Sequence, residues 1–202
     1  EILEQIEKEA RADSVPIIRR EMQSFLRTLL MLKKPVHILE VGTAVGFSAL
    51  LMSEYVPEEC AITTIENYEK RIPIARQNFV RAGKEKKITL LEGDAMDVLK
   101  TLEGPYDFIF MDAAKGQYIH YLPEILRLLA KGGILVSDNV MQDGDVIESR
   151  FAVERRDRTI HARMREYLYE LKHNDALVTS IIPLGDGVAL SVKKEVGTDI
   201  AQ

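Results

Sequence analysis

The chain has 202 residues, of which 46% are hydrophobic, and a formal net charge of −5 at pH 7. This length and composition suit one hydrophobic core and predict a single domain. The excess of acidic residues argues against a protein that coats nucleic acid nonspecifically, and the single cysteine, Cys60, excludes an internal disulfide and zinc sites built on cysteines. No apolar run approaches membrane-spanning length, and the N-terminal segment does not resemble a signal peptide, so a cytoplasmic protein is expected.

Two segments with helical spacing precede the first predicted strand. The first covers residues 2–12, and the second covers residues 17–32, with Pro16 near its first position. These helices are additions to an α/β core and could form a lid, a dimer surface or plain packing against a sheet. The sequence therefore predicts N-terminal helices at residues 1–34, a core at residues 35–195 and a frayed tail at residues 196–202.

The stretch from Val36 to Ser48 predicts a strand, a glycine loop and a helix. A β-branched, apolar run ends at Glu40, and Gly42 and Gly46 follow in the spacing E-x-G-x-x-x-G. Glycines permit a sharp turn and close approach of the backbone to a ligand, and the start of the helix offers free N–H groups to an anion. The dinucleotide fingerprint G-x-G-x-x-G is not met, since Ala44 stands at its second glycine. The alternative is a purely structural turn.

Two further strand ends carry acidic side chains. Residues 61–66 predict the second strand, and its last residue, Glu66, could accept the hydroxyls of a ribose. A solvated glutamate at a strand end is the alternative. After the third strand comes Gly93-Asp94-Ala95, in which Asp94 could cap the following helix. Together with the glycine loop, Glu66 supports a nucleoside ligand.

Polar side chains also end the fourth and fifth predicted strands. The fourth strand, residues 106–112, ends at Asp112, and the fifth, residues 133–137, is followed by Asp138 and Asn139. Because parallel strands bring their carboxyl ends to one edge of a sheet, these side chains should converge there. Two carboxylates and an amide suit magnesium, manganese or calcium and suit zinc poorly. The alternative is that they are ordinary turn and cap residues.

Taken together and in order, these motifs resemble the cation-dependent O-methyltransferases of the catechol and caffeoyl-CoA type, over nearly the whole chain. The residues that carry the resemblance are Glu40-x-Gly42-x-x-x-Gly46, Glu66, Gly93-Asp94-Ala95, Asp112-x-x-Lys115 and Asp138-Asn139. The resemblance implies a Rossmann-like α/β fold with a mostly parallel seven-stranded sheet. The sequence itself indicates an antiparallel C-terminal hairpin, since residues 176–182 and 188–193 are β-rich runs that flank a glycine turn.

The resemblance also implies roles for single residues and a homodimer. Asp112, Asp138 and Asn139 would bind a divalent metal, Mg²⁺ or else Mn²⁺ or Ca²⁺, and Lys115 would act beside Asp112 in catalysis as the general base. S-adenosylmethionine (SAM) would donate the methyl group. Its expected contacts are Val15, Glu40, Gly42, Gly46, Ser48, Glu66, Asp94, Ala95 and Asp112. The alternative for Lys115 is a surface lysine, because activation by the metal alone could suffice.

An arginine-rich segment, residues 150–165, follows the predicted metal ligands, and helical spacing begins at Arg158. A basic run close in sequence to a catalytic site on an acidic protein suggests a polyanionic substrate held by its phosphates. A solvated helix face is the alternative. The candidate RNA contacts are Arg150, Arg155, Arg156, Arg158, Arg163 and, by stacking on a splayed base, Tyr118. Tyr118 could equally be a core residue of its helix.

Within this family, the sequence is similar to the bacterial tRNA 5-hydroxyuridine methyltransferases, which make 5-methoxyuridine at the wobble position. The similarity rests on residues 15–17, 112–118, 138–140 and 181–191 and on the arginine-rich segment. The expected partner is therefore the tRNA anticodon stem-loop. The 5-hydroxyl and O4 atoms of its 5-hydroxyuridine are neighbouring oxygens and form a catechol-like pair. One alternative is an O-methyltransferase of small catechol or hydroxycinnamoyl acceptors. Another is a noncatalytic SAM- or RNA-binding module, which would have no use for the metal ligands and Lys115.

Overall fold

The computed structural model describes residues 1–141 and 158–195. The helices in these ranges are α1 (Ile2–Ala12), α2 (Arg20–Lys33), α3 (Phe47–Glu54), α4 (Ile72–Arg81), α5 (Ala95–Thr101), α6 (Tyr118–Leu128) and α7 (Arg158–His173). The strands are β1 (His37–Val41), β2 (Ala61–Glu66), β3 (Ile88–Glu92), β4 (Tyr106–Met111), β5 (Leu129–Ser137), β6 (Leu177–Ile182) and β7 (Val188–Lys193). A 3-10 turn, Lys115–Gln117, precedes α6. The predicted contacts Arg150, Arg155 and Arg156 and the predicted tail lie outside the described residues.

The strands form one seven-stranded sheet in the order β3-β2-β1-β4-β5-β7-β6. β1, β2 and β3 pair in parallel, and so do β4 and β5. β7 runs antiparallel to both β5 and β6. The predicted fold class is therefore confirmed: a mostly parallel, Rossmann-like α/β sheet with an antiparallel C-terminal hairpin and two helices ahead of β1.

The contacts within the chain divide it into two compact units, Glu1–Thr101 and Leu102–Gln202. Each unit holds part of the predicted site, and each is described separately below. The single domain expected from the length of the chain stays a prediction. No helix in the described ranges has both the length and the apolar character needed to cross a membrane.

The first unit has its core at β1. Ile38, Leu39 and Val41 are completely buried, as expected for a parallel strand covered on both faces. Every residue of α3 except the last, Glu54, is also buried. At about 25 cal/mol per Å² of apolar surface, this burial is a main source of stability. The glycine loop between β1 and α3 is therefore anchored at both ends in the core.

The N-terminal helices differ from prediction at one boundary. α2 begins at Arg20, so Pro16 precedes the helix and does not lie in its first turn. α1 ends in a turn in which Ser14 adopts φ 55° and the Val15 N–H donates to the Ala10 carbonyl at 2.8 Å. Residues 15–19 are consequently a connector between two helices, and the predicted helix start at residue 17 is wrong.

The second unit is built on β4, whose residues Phe108, Ile109 and Phe110 are completely buried. β5 begins at Leu129, four residues before the predicted start at Gly133. Its pairing with β4 shifts register between Tyr106 and Phe108, so the extra residues form an irregular beginning of the strand. β5 ends at Ser137, as the sequence predicts, and β4 ends at Met111, one residue before the predicted end at Asp112. Asp112 and Asp138 therefore each directly follow the last residue of a strand.

Candidate functional site

In the first unit, the glycine loop, residues 42–46, turns through three residues with positive φ. These are Gly42 at 106°, Ala44 at 47° and Gly46 at 86°. A Cβ atom added to Gly46 would lie 2.5 Å from Cε1 of Phe79 in α4. Gly46 is therefore required by the backbone conformation, as the sequence predicted, and also by the ring of Phe79, which the sequence did not reveal.

Glu40, at the end of β1, is completely buried. Its two carboxylate oxygens accept the hydroxyls of Ser48 and Thr64, each at 2.5 Å. The Thr64 hydroxyl also lies 2.6 Å from that of Thr43 in the glycine loop. Two residues predicted as SAM contacts, Glu40 and Ser48, thus bond to each other. Their visible role is to join β1, β2 and the start of α3 around the loop.

Glu66, at the end of β2, supports the glycine loop directly. Its Oε2 accepts the Ala44 N–H at 2.7 Å, and its Oε1 accepts the N–H groups of Asn67 and Tyr68 at 3.0 and 2.9 Å. A carboxylate has about four lone-pair positions, so three are used and one remains, on Oε2. The sequence predicted that Glu66 could accept ribose hydroxyls; this geometry leaves capacity for one of them.

Asn78 of α4 also supports the loop, and sequence reasoning missed it. Its Nδ2 donates to the Val45 carbonyl at 2.9 Å, and its Oδ1 accepts from Arg81 at 3.0 Å. Arg81 in turn forms an ion pair with Glu9 of α1 at 2.7 Å. A polar chain thus links the N-terminal helix to the glycine loop. No local pattern marks Asn78, because it is one polar residue in an amphipathic helix.

The other predicted SAM contacts of the first unit lie on loops. Asp94 is exposed, and its Oδ1 accepts the Met96 N–H at 2.9 Å, so the predicted cap of α5 is present. Ala95 is the first residue of α5. Val15 is half-buried in the connector after α1. For these three residues, contact with SAM stays a prediction.

Replacing Gly46 with alanine should destabilise the protein by roughly 3 kcal/mol, because positive φ and a steric clash each cost about 1–3 kcal/mol. Gly83→Ala is a matched control, since Gly83 also has positive φ, 65°, but nothing lies within 4 Å of its added Cβ. We expect Gly83→Ala to lower the free energy of unfolding by about 1 kcal/mol, the cost of the backbone strain alone. Urea denaturation of both variants measures the difference, and equal losses would contradict the steric role of Phe79.

In the second unit, the polar strand ends form a group that we call the strand-end cluster: Asp112, Asp138 and Asn139. The Asn139 side-chain amide donates to Oδ1 of Asp112 at 3.4 Å, and the Asn139 backbone N–H donates to Oδ1 of Asp138 at 2.8 Å. Asn139 adopts φ 57°, a left-handed conformation that asparagine tolerates better than most residues. The three predicted metal ligands therefore lie together.

Both carboxyl groups of the strand-end cluster have raised pKa values. Burial raises the pKa of Asp138 to about 7, and the charges of Asp112 and Asp186 add to the rise. Burial also raises the pKa of Asp112 to about 6, against the lowering effects of the bond from Asn139 and the charge of Lys115. Two carboxylates this close resist joint ionisation unless a cation neutralises them.

The donor set of the strand-end cluster fits a divalent cation that prefers oxygen, such as Mg²⁺ or Mn²⁺. Among the described residues, no group of three or more His, Cys, Asp and Glu side chains is arranged to hold a metal. The third ligand would therefore be the amide oxygen of Asn139. Asp112 and Asp138 would supply the negative charge.

The metal-free protein should lose stability as pH rises from about 4 to about 7. The folded-state pKa values of Asp112 and Asp138 lie above the usual 3.8, so the folded protein holds protons that the unfolded chain releases, and the free energy of unfolding falls with pH. Denaturation in EDTA measures this. Asp138→Asn should be more stable than the parent protein at about pH 8 and little different at about pH 3. A parent protein whose free energy of unfolding rises relative to that of the variant between these two pH values would contradict the assignment.

Tyr118, predicted to stack on a base, is completely buried. Its hydroxyl bonds to the carbonyls of Met111 and Asp138 at 3.1 and 3.2 Å, and its ring meets that of Tyr167 edge-on, with centroids 5.4 Å apart. The prediction of an RNA contact at Tyr118 is therefore wrong, because no face of the ring is accessible. The alternative, a core residue of α6, is correct.

Lys115 and the arginines of α7 are the remaining predicted residues. Lys115 is half-buried at the start of the 3-10 turn. Arg163 of α7 donates from Nη1 to the Gly116 carbonyl in that turn at 3.2 Å, so this arginine has a partner within the protein. Arg158, the first residue of α7, is half-buried. The structure thus gives Arg163 a role in holding the Lys115 turn, and RNA contact at Arg158 and Arg163 stays a prediction.

Comparison with protein families and known sequences gives a consistent picture. A family model described as O-methyltransferase matches residues 1–194. A catechol O-methyltransferase of Niastella koreensis is 37% identical over 128 residues, which are 61% of this chain and 58% of that protein. Caffeoyl-CoA O-methyltransferase 2 of Populus trichocarpa is 33% identical over 183 residues, 82% of this chain and 70% of that protein. The match to the Niastella protein thus covers less than two thirds of its length.

Solved structures agree with the sequence matches. An SAH-bound methyltransferase of Podospora anserina has a TM-score of 0.87 at 29% identity, over 96% of this chain and 88% of that chain. An O-methyltransferase of Bacillus cereus in complex with SAH has a TM-score of 0.85 at 25% identity, over 96% of this chain and 90% of that chain. The similarity extends across nearly the whole chain in both cases.

Proposed function

Because the chain belongs to the O-methyltransferase family, we propose that it transfers a methyl group from SAM to an oxygen of an acceptor that carries two neighbouring oxygens. The observation that carries this proposal is the strand-end cluster, in which a buried carboxyl group, that of Asp138, and a half-buried one, that of Asp112, have raised pKa values and lie beside an amide. SAM as donor is supported by two similar structures that hold SAH, the sulfide that remains when SAM has lost its methyl group.

The first unit supplies groups that suit a nucleoside carrying an amino acid. Glu66 keeps one lone pair for a ribose hydroxyl while it holds Ala44 in place. The first N–H groups of α3 have no partner further back in the helix and can donate to a carboxylate. Glu40, buried and bonded to Ser48 and Thr64, keeps the strand and the helix in a fixed relation. We assign SAM binding to this loop.

The second unit supplies groups that suit the acceptor. Asp112, Asp138 and Asn139 would hold the cation, which would lower the pKa of the reacting hydroxyl of an acceptor with neighbouring oxygens. Lys115, in its uncharged amine form, would receive the proton of that hydroxyl. The acceptor oxygen then forms a bond to the methyl carbon as the bond from that carbon to sulfur breaks. Arg163 would keep the Lys115 turn in position through the Gly116 carbonyl.

We further propose that the acceptor is 5-hydroxyuridine in the anticodon loop of tRNA. The base carries neighbouring oxygens at its 5 and 4 positions. Such a pair suits a divalent cation held at the strand-end cluster. The arginine-rich segment leads directly into α7, whose Tyr167 and Arg163 contact the part of the fold that carries the cluster and Lys115. Phosphates held by that segment would place the base near these residues.

A small catechol or hydroxycinnamoyl acceptor is the second candidate. Relatives that are 32–37% identical to this chain are catechol and caffeoyl-CoA O-methyltransferases. Such acceptors carry the same neighbouring oxygens, so the strand-end cluster suits both classes. The arginine-rich segment is the feature that favours tRNA.

The experiment that separates the candidates is methyl transfer from labelled SAM in the presence of Mn²⁺. The acceptors are tRNA that contains 5-hydroxyuridine, the same tRNA without this modification, and catechol. We expect label only in the first tRNA, recovered as 5-methoxyuridine by mass spectrometry of its nucleosides. If catechol gained the label and neither tRNA did, the tRNA proposal would be refuted and the second candidate supported.

Reversing the charge of Arg155, Arg156 and Arg158 to glutamate should weaken tRNA binding by at least about tenfold and flatten its dependence on salt concentration, because fewer counterions are released on binding. The control reverses Lys8, Lys86 and Lys131, which are exposed and change the net charge equally. Filter binding at several salt concentrations measures both. An affinity lowered equally in the two triple variants would indicate net charge alone, against a specific basic surface.

A further inference from the structure

The hydroxyl of Tyr118 lies at the point where β4 and β5 end. It is 3.1 Å from the Met111 carbonyl and 3.2 Å from the Asp138 carbonyl, and it accepts the Ala113 N–H at 3.3 Å. Met111 and Ala113 are the two chain neighbours of Asp112. A single buried oxygen therefore contacts the backbone on both sides of one predicted metal ligand and the backbone of another.

We propose that Tyr118 is a positioning residue of the strand-end cluster, which sets the separation of the Asp112 and Asp138 carboxylates by holding the backbone that carries them. The inference rests on the proposed metal-dependent function. Tyr118 itself would touch neither the cation nor the acceptor, because its hydroxyl is occupied by backbone groups and its ring is completely buried.

The bonding of the hydroxyl explains why it would hold the backbone tightly. It has one proton, which two carbonyls share, and it accepts one N–H, so its capacity is largely used. Burial and the nearby charge of Asp112 raise the pKa of Tyr118 well above its usual value, so the hydroxyl keeps its proton at any physiological pH. The strand ends are joined directly as well, since the Asp138 N–H donates to the Met111 carbonyl at 2.9 Å.

Tyr167 of α7 holds the ring of Tyr118 in place and offers a matched control. The two rings meet at an angle of 72°, and both are completely buried. The Tyr167 hydroxyl, however, lies 2.6 Å from the side-chain oxygen of Ser137, and within residues 1–141 and 158–195 it forms no bond to the backbone of a predicted ligand. Replacing either tyrosine by phenylalanine removes one buried hydroxyl, but only the change at Tyr118 releases backbone groups of the cluster.

The test compares the full-length parent protein, Tyr118→Phe and Tyr167→Phe, each freed of metal with EDTA. Mn²⁺ affinity is measured by electron paramagnetic resonance, and SAH binding by calorimetry gives the concentration of folded protein in each sample. We expect Tyr118→Phe to raise the Kd for Mn²⁺ by about 10–100-fold, the effect of removing a group that orients metal ligands. Tyr167→Phe should change it by less than about threefold, and both variants should bind SAH as the parent does.

The outcomes separate this inference from the function on which it rests. Parent-like Mn²⁺ affinity in Tyr118→Phe, or equal weakening in both variants, would overturn the positioning role and leave Tyr118 as a core residue like Tyr167. A parent protein that binds SAH but no Mn²⁺ would refute the metal-dependent function and with it the premise of the inference.

Discussion

Replacing Asp138 with asparagine should lower kcat/KM for methyl transfer by about a thousandfold, because the variant loses a charged ligand of the proposed cation while keeping the size of the side chain. The fold should survive, since an amide at a buried position avoids the desolvation that raises the pKa of this carboxyl group. Steady-state rates with saturating Mn²⁺ and SAM measure the loss of kcat/KM. The affinity for SAH shows whether the first unit is still folded.

Asp186→Asn is the control for Asp138→Asn. Asp186 carries a charge that acts on Asp138, yet it is not among the predicted ligands. We expect its replacement to change kcat/KM by less than about tenfold. If Asp186→Asn lost as much activity as Asp138→Asn, the loss in both variants would come from the change in local charge and not from the loss of a metal ligand. Full activity in Asp138→Asn would remove the basis of the metal mechanism.

Replacing Lys115 with methionine should lower kcat by about 10²–10⁴-fold, the range for loss of a general base. The affinities for Mn²⁺ and SAH should stay within about threefold of the parent values, because methionine is unbranched and nearly as long as lysine but has no amine. Single-turnover kinetics measure the chemical step without interference from product release.

Lys131→Met is the control for Lys115→Met, since Lys131 is an exposed lysine of the same unit. It should behave as the parent does. A chemical step of unchanged rate in Lys115→Met would mean that activation by the cation suffices, and that Lys115 is the surface lysine that the sequence left open as an alternative.

Much of the fold was predictable because its signals are local. β-rich runs predicted the bounds of β2 and β7, and a turn rich in glycine marked the final hairpin. The spacing from Glu40 to Gly46 located the glycine loop. The resemblance to O-methyltransferases of the catechol and caffeoyl-CoA type is confirmed by the family model and by the relatives. Such features depend on neighbours within a few residues.

The supports of the site were not predictable, because they join residues far apart in the chain. Asn78 bonds to a carbonyl 33 positions away, and Arg163 bonds to one 47 positions away. Glu40, predicted as a SAM contact, is also a buried acceptor for two hydroxyls, and its contact with SAM stays a prediction. Tyr118 looked like a stacking platform because aromatic residues near a site often are, but its burial depends on α7, whose position the sequence does not state.

The most direct test of the central claim is methyl transfer from labelled SAM to tRNA that carries 5-hydroxyuridine, measured with EDTA and then with Mg²⁺ or Mn²⁺ added back. SAM-dependent catalysis through the strand-end cluster predicts no 5-methoxyuridine in EDTA and full conversion after the metal is restored. Conversion at the same rate in EDTA as with metal would contradict the account, because Asp112, Asp138 and Asn139 would then have no cation to hold.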